Sequence, residues 1–273
     1  MESLGIFLLS AAALTFEINL TRIFSVSQFY HFAFMTVSLA LLGFGASGTL
    51  LSLAPGLRRR PKTTRIACAW GFALTSIGAY VLTLILPFDS FRTSLEPHQW
   101  GILVLHYLAL ATPFLCTGTA VGLILALRPE AVGRTYAANL IGSAAGCLVA
   151  VAAPSLVGAA GVVLLSAALA ALAALAFTLK ALPARWRWML PQIVVVLVLL
   201  ALAFRPPAAL GVRLSPYKGL SYALQYPDAR LTFQAWNSFS RVDVVEASAI
   251  RSLPGQGFTC SRQPPPQRGL FVD

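Results

Sequence analysis

Seven apolar stretches fill the first three quarters of the chain, and polar residues collect in the short gaps between them. They run over 4–24, 30–54, 66–87, 101–127, 138–157, 159–180 and 188–205. A helix of about 20 residues, rising 1.5 Å at each, crosses the ~30 Å hydrocarbon layer of a bilayer. A soluble core does not need runs of that length repeated, so the pattern predicts an all-α polytopic membrane bundle of about seven transmembrane helices over 1–205. The gaps carry turn and helix-stop residues: Pro55-Gly56, Pro87-Phe88-Asp89, Arg128-Pro129-Glu130, Pro154 to Gly161, and Pro183. The fifth and sixth stretches are one Ala/Gly-rich run divided by Pro154 and Gly158, and read either as two spans or as a re-entrant pair.

After Pro206-Pro207 the pattern changes to short alternating segments. Gly219–Tyr226 and Arg230–Trp236 read as strands joined by a turn at Pro227-Asp228-Ala229, and Ser240–Ala247 sets Val242 and Val244 against Arg241, Asp243 and Val245. Residues 206–273 are thus expected to form a small, incomplete β-rich tail, the truncated start of a soluble domain. A segment well under ~70 residues rarely closes a core. The tail is therefore expected to be a poorly packed, hairpin-like extension in which Phe271 and Val272 lack neighbours.

Composition agrees with the helical pattern: 58% of residues are hydrophobic and only 11% are charged, against about 25% charged in soluble domains. The net charge of +11 does not mark a nucleic-acid-binding protein, because the cations sit in short loops between apolar runs. Loops 55–65, 128–136 and 180–188 hold five, two and three Lys/Arg, while the opposite side holds Arg22 and Arg92. Ten against two places the N-terminus and these loops in the cytoplasm of a multi-pass cell-membrane protein. Seven spans would then put the tail outside, whereas Arg205, Arg213 and Lys218 beyond the last span favour the cytoplasm. The first stretch lacks a basic leader and continues into Phe16-Glu17-Ile18-Asn19, which predicts a retained helix rather than a cleaved signal.

Polar residues inside the spans are the functional candidates. An acidic group at a helix centre costs roughly 2.5–3.5 kcal/mol to insert, so Glu17 is expected to point into the bundle. Arg22 lies about 140° from Glu17 around a helix and is expected to snorkel to the interface. Asn19, His31, His106 and Asn139 complete the set. Such groups serve either a proton or ion path or a satisfied structural network. Gly118/Gly122 and Gly142/Gly146 form GxxxG steps, suited to close helix packing within the bundle or to a homodimer contact. Gly43-Phe44-Gly45-Ala46-Ser47-Gly48 fits the dinucleotide pattern GxGxxG by letter. It lies mid-span with no acid about 20 residues on, so Gly43, Gly45 and Gly48 are read as a helix-packing face. Cys68, Cys116 and Cys147 fall in spans and Cys260 in the tail, without a metal-binding spacing. No catalytic, cofactor-binding or metal-ligating set emerges. Asp243 and Glu246 point to opposite faces of a strand and make no carboxylate pair.

Leu14-Thr15-Phe16-Glu17 with Leu20-Thr21-Arg22, the small-residue run Leu41 to Gly48, and Pro113-Phe114-Leu115-Cys116-Thr117-Gly118 resemble bacterial membrane-embedded spermidine-synthase-like proteins. Gly133-Arg134-Thr135-Tyr136-Ala137-Ala138-Asn139-Leu140-Ile141-Gly142 is the closest match, and Ser215-Pro216-Tyr217-Lys218 and Ser240–Glu246 resemble the strands preceding that family's catalytic domain. The resemblance implies that a Rossmann-type domain follows and that decarboxylated S-adenosylmethionine or S-adenosylmethionine serves the whole protein. This chain would carry no cofactor itself. It would be the membrane-anchoring region of an aminopropyl- or methyltransferase, inactive alone. A small-solute or ion transporter and a non-catalytic membrane scaffold are the competing readings, with the lipid bilayer as partner in all three.

Overall fold

The computed structural model describes residues 1–181, 186–251, 259 and 264–273. It is mostly helical, with a small sheet at the C-terminal end. The helices are α1 (Glu2–Ser27), α2 (Tyr30–Leu53), α3 (Pro55–Arg59), α4 (Pro61–Ile85), α5 (His98–Leu127), α6 (Val132–Ala181), α7 (Trp186–Phe204) and α8 (Gly219–Ala223). Among the described residues five helical stretches are long and apolar enough to cross a membrane, and Met189–Phe204 adds a shorter apolar helix.

α1 is the central helix, packed mainly on α6 and also on α2 and α5. Its sequence is apolar on nearly every side, as a helix surrounded by others must be. Phe16 sits at the middle of the core with its ring 6.0 Å from those of Phe72 and Phe114. The outer faces of α2, α5 and α7 expose large apolar side chains such as Leu41, Leu105 and Val194, the arrangement a lipid-facing surface requires.

α6 is two arms rather than one rod. Gly158 has φ 67° and ψ 172°, a region essentially reserved for glycine. The contacts show the direction of each arm. Gly142 and Gly146 lie against Phe7 and Ala11 of α1, and Phe177 returns to lie against Gly5. Both ends of α6 therefore meet the start of α1, and the bend at Gly158 lies toward its other end. α7 then runs back beside the second arm, where a Cβ on Gly161 would meet the Ala203 carbonyl.

The tail departs from the expected hairpin. Residues 219–223 form the short helix α8, which buries Leu220 and Ala223 on one side; a strand would have sent those two to opposite faces. The sheet is antiparallel in the order β1 (Arg230–Trp236), β2 (Arg241–Glu246), β3 (Arg268–Val272). β1 and β2 are joined at Asn237–Ser240, where the Asn237 Oδ1 accepts from the amides of Phe239 and Ser240 at 2.7 Å each. Phe271 does have neighbours: it packs against the cluster of Leu220, Ala223 and Val245. Val272 remains exposed.

The tail sits on the bundle end opposite the basic loops. The Ser215 amide donates to the Ser27 carbonyl at 2.7 Å, and Lys218 Nζ donates to the Ser25 carbonyl at 2.8 Å. Both acceptors belong to the last turn of α1, whereas the basic loops surround its first turn. The N-terminus and the tail therefore lie at opposite ends of the bundle.

Candidate functional site

Asn19, Arg22 and Asn139, three of the polar candidates of the spans, lie along the seam between α1 and α6. Ser10 Oγ donates to Asn139 Oδ1 at 2.8 Å, Thr15 Oγ1 to the Gly146 carbonyl at 3.1 Å, and Asn19 Nδ2 to the Ala159 carbonyl at 2.9 Å. Arg22 Nη1 donates to the Ala150 carbonyl. That carbonyl is the one a helical amide at position 154 would serve, and Pro154 has none to offer. Arg22 thus turns inward to satisfy an acceptor orphaned by a proline, rather than running along lipid to the interface. Gly142 and Gly146 make the seam possible, since added Cβ atoms there would come within 2.3 Å and 2.5 Å of the Phe7 and Ala11 carbonyl oxygens.

Glu17 lies outside this seam. It is half-buried and has no hydrogen bond or ion pair among the described residues. His31 lies at the start of α2, exposed within an aromatic group that includes Phe29 and Phe32. His106 is buried in α5, its Nε2 has no partner among the described residues, and its ring meets the Leu86 carbonyl at the end of α4. The structure joins Asn19, Arg22 and Asn139 along one seam and holds Glu17, His31 and His106 apart from it.

The glycine faces divide in the same way. Gly43 of α2 touches the α5 backbone at Ala111, and Gly118 and Gly122 of α5 receive Ser47 and Leu51 of α2. A Cβ added at Gly45 or Gly48 would meet no atom within 4 Å, so among the described residues the packing role of that trio falls to Gly43.

Two polar places escaped the sequence reading. A cavity of about 240 Å³ opens where bundle and tail meet, lined by Phe24, Phe32, Asp89, Arg92, His106 and Arg213 among others. Its rim is held together by Asp89, whose Oδ1 accepts from the Phe91 amide at 3.0 Å and whose Oδ2 accepts from the Tyr217 hydroxyl at 3.3 Å. The Phe91 and Tyr217 rings lie 4.5 Å apart beside it, a placement suited to the interfacial depth that aromatic residues favour. The second place is at the other end, where Arg65, Arg128 and Lys180 all converge on the carboxylate of Glu2. The signal for it was present: Glu2 is an acidic residue at the end where ten cations gather.

No group of three or more potential metal ligands occurs among the described residues. No family model, curated protein or solved structure matches the chain.

Proposed function

We propose that this chain is a membrane platform that crosses the bilayer seven times and holds an extramembrane, spermidine-synthase-like domain against one end of its bundle. The seven crossings are α1, α2, α4, α5, the two arms of α6, and α7. The observation that carries the reading is the docking of the tail. Besides the bonds of Ser215 and Lys218 to α1, Tyr80 Oη donates to the Leu210 carbonyl at 2.7 Å, and Trp236 of β1 lies beside the Gly158 bend. A tail incidental to a transporter does not need hydrogen bonds to two separate helices of the bundle.

The sheet also has the surface of a domain that continues. Phe233, Val244 and Leu270 stand in register across the three strands, as do Ala235, Val242 and Val272, and this apolar face is turned away from the buried one. Further strands or a helix on it would complete a core. The transferase chemistry of the resemblance belongs to that continuation, and the 273 residues alone bind no aminopropyl donor under this reading.

Sidedness enters the same test. A charged nucleoside-type donor does not cross a bilayer unaided, so the transferase reading requires the sheet end to face the compartment that makes the donor. Reporters fused after Asp273 and within 55–60 locate the two ends. Extension of the chain with the residues encoded downstream, followed by titration with decarboxylated S-adenosylmethionine, then tests the chemistry. Donor binding only by the extended chain supports the proposal. A chain with no downstream domain, or saturable donor binding by residues 1–273 alone, overturns it.

A further inference from the structure

The cluster at the first turn of α1 has a charge imbalance that the fold leaves unsatisfied. Glu2 receives Arg65 from α4, Arg128 from the end of α5 and Lys180 from the end of α6, with Arg128 Nη1 at 2.7 Å. The carboxylate is only 12% exposed and the Arg65 side chain 9%, so this part of the cluster is desolvated. Among the described residues Arg134 has no ion pair or hydrogen bond, yet it stands close enough to Lys180, with Arg65 and Arg128, for their charges to repel. Four cations around one carboxylate leave a net charge of about +3 in a partly desolvated place, where repulsion is stronger than in water.

Two cavities adjoin the cluster. One, of about 130 Å³, is lined by Arg128, Arg134, Thr135 and Lys180 beside Glu2; at ~30 Å³ per water it has the room of about four waters, enough for a phosphate group. The other, of about 220 Å³, is lined by Lys62 and Arg65 above Leu123, Ile124 and Leu127. Cations over apolar side chains, at the ends of membrane-length helices, match a molecule with an anionic head and an apolar body. We infer that this place binds the phosphate headgroup of an anionic phospholipid, with the phosphate between Arg128, Arg134 and Lys180 and the first acyl carbons against Leu123, Ile124 and Leu127. Bound lipid would relieve the repulsion and tie together the ends of α1, α4, α5 and α6. Basic pockets between helices are the recurrent form of such recognition.

The test is thermal unfolding and native mass spectrometry of the purified chain with phosphatidylglycerol, phosphatidylcholine or inorganic phosphate added. Phosphatidylglycerol is expected to raise the unfolding temperature saturably and to be retained in the mass spectrum, with phosphatidylcholine weaker. Arg134→Gln, which breaks no ion pair, is expected to weaken phosphatidylglycerol binding by about fivefold, as loss of one well-placed surface cation should. Arg59→Gln removes the same charge from the nearby exposed helix α3 and is expected to change binding less than about twofold, because that residue lines neither cavity. Equal losses in both variants would show a diffuse surface charge and overturn the site. Protection by inorganic phosphate equal to that by phosphatidylglycerol would overturn the lipid as its source.

Discussion

The bundle interior and the tail sheet solve the same problem in opposite ways. In the bundle, the α1–α6 seam is lined with glycine and alanine, and its polar side chains bond largely to backbone carbonyls. In the sheet, the buried face carries a charged pair while the apolar face is open. Arg241 Nε donates to Asp243 Oδ2 at 2.7 Å, Gln234 Nε2 donates to Asp243 Oδ1 at 2.8 Å, and the Arg241 guanidinium lies 5.8 Å from the Trp236 ring centre. Lipid offers helices no hydrophobic drive to associate, so close backbone contact and hydrogen bonds must hold them. A small sheet pressed onto the end of a bundle can bury a pair of charges because each completes the other's hydrogen bonds.

That contrast can be broken at its most costly point first. Asp243→Ala leaves Arg241 buried without its partner, a change that costs on the order of 3–5 kcal/mol. The expected outcome is loss of the sheet with the bundle intact, read as rapid proteolysis within 230–273 while helical circular dichroism is retained. The double change of Arg241→Met with Asp243→Leu should restore protection, since a buried pair replaced by apolar side chains is often neutral. If the single variant resists protease as the parent does, the pair is not what orders the sheet.

On the bundle side, Gly142→Ala puts a methyl against the Phe7 carbonyl and forces α1 and α6 apart. Overpacking of this kind costs about 1–3 kcal/mol. The midpoint of unfolding in mixed detergent should fall, whereas Gly48→Ala, facing open space, should hold or slightly raise it. Equal effects of the two would remove the distinction drawn between the glycine faces.

A smaller effect is expected where a side chain bonds to backbone. Asn19→Leu removes the bond to Ala159, and interhelical hydrogen bonds in membranes average only about 0.6 kcal/mol. A small drop in unfolding midpoint, well below that of Gly142→Ala, is the expected result. A loss as large as that of the glycine variant would mean Asn19 belongs to a functional network rather than to packing.

The smallest is a pH effect in the tail. Asp228 Oδ2 accepts the Ser248 amide at 2.7 Å, and this bond holds the carboxyl below its ordinary value. A depressed carboxylate contributes stability above its unfolded pKa of about 3.9. That contribution is lost as pH falls through the folded value, so a lower protection factor for the Ser248 amide, its exchange compared with the intrinsic rate at the same pH, is expected only below about pH 4. Asp228→Asn should abolish the pH dependence of that protection factor.

Much of this architecture was legible in the chain. Long apolar runs announce membrane-length helices because, closed barrels aside, only a helix satisfies its backbone polar groups in lipid. Gly158 lies between the two stretches drawn for α6, and β1 has the limits its alternation suggested. The pairing of polar residues was not legible, because Arg22 and Ala150 are far apart in sequence and meet only through the fold of α6. Residues 219–223 misled for a different reason. Five residues are too few for period to separate strand from helix, and docking of Leu220 and Ala223 on Val245 decided it.

The sequence by itself determined what is local: apolar length, the proline and glycine breaks, and the gathering of cations on one side. Each follows from the cost of placing a residue in hydrocarbon or in a helix, which a short stretch of chain reports without help. Tertiary structure alone decided which partner each polar group found. It set Arg22 on the carbonyl that Pro154 leaves free, made Glu2 the focus of three cations, and placed the sheet at the end away from the basic loops. Those outcomes depend on how the helices stack and reverse, which decides which of many distant polar groups comes within 4 Å of another.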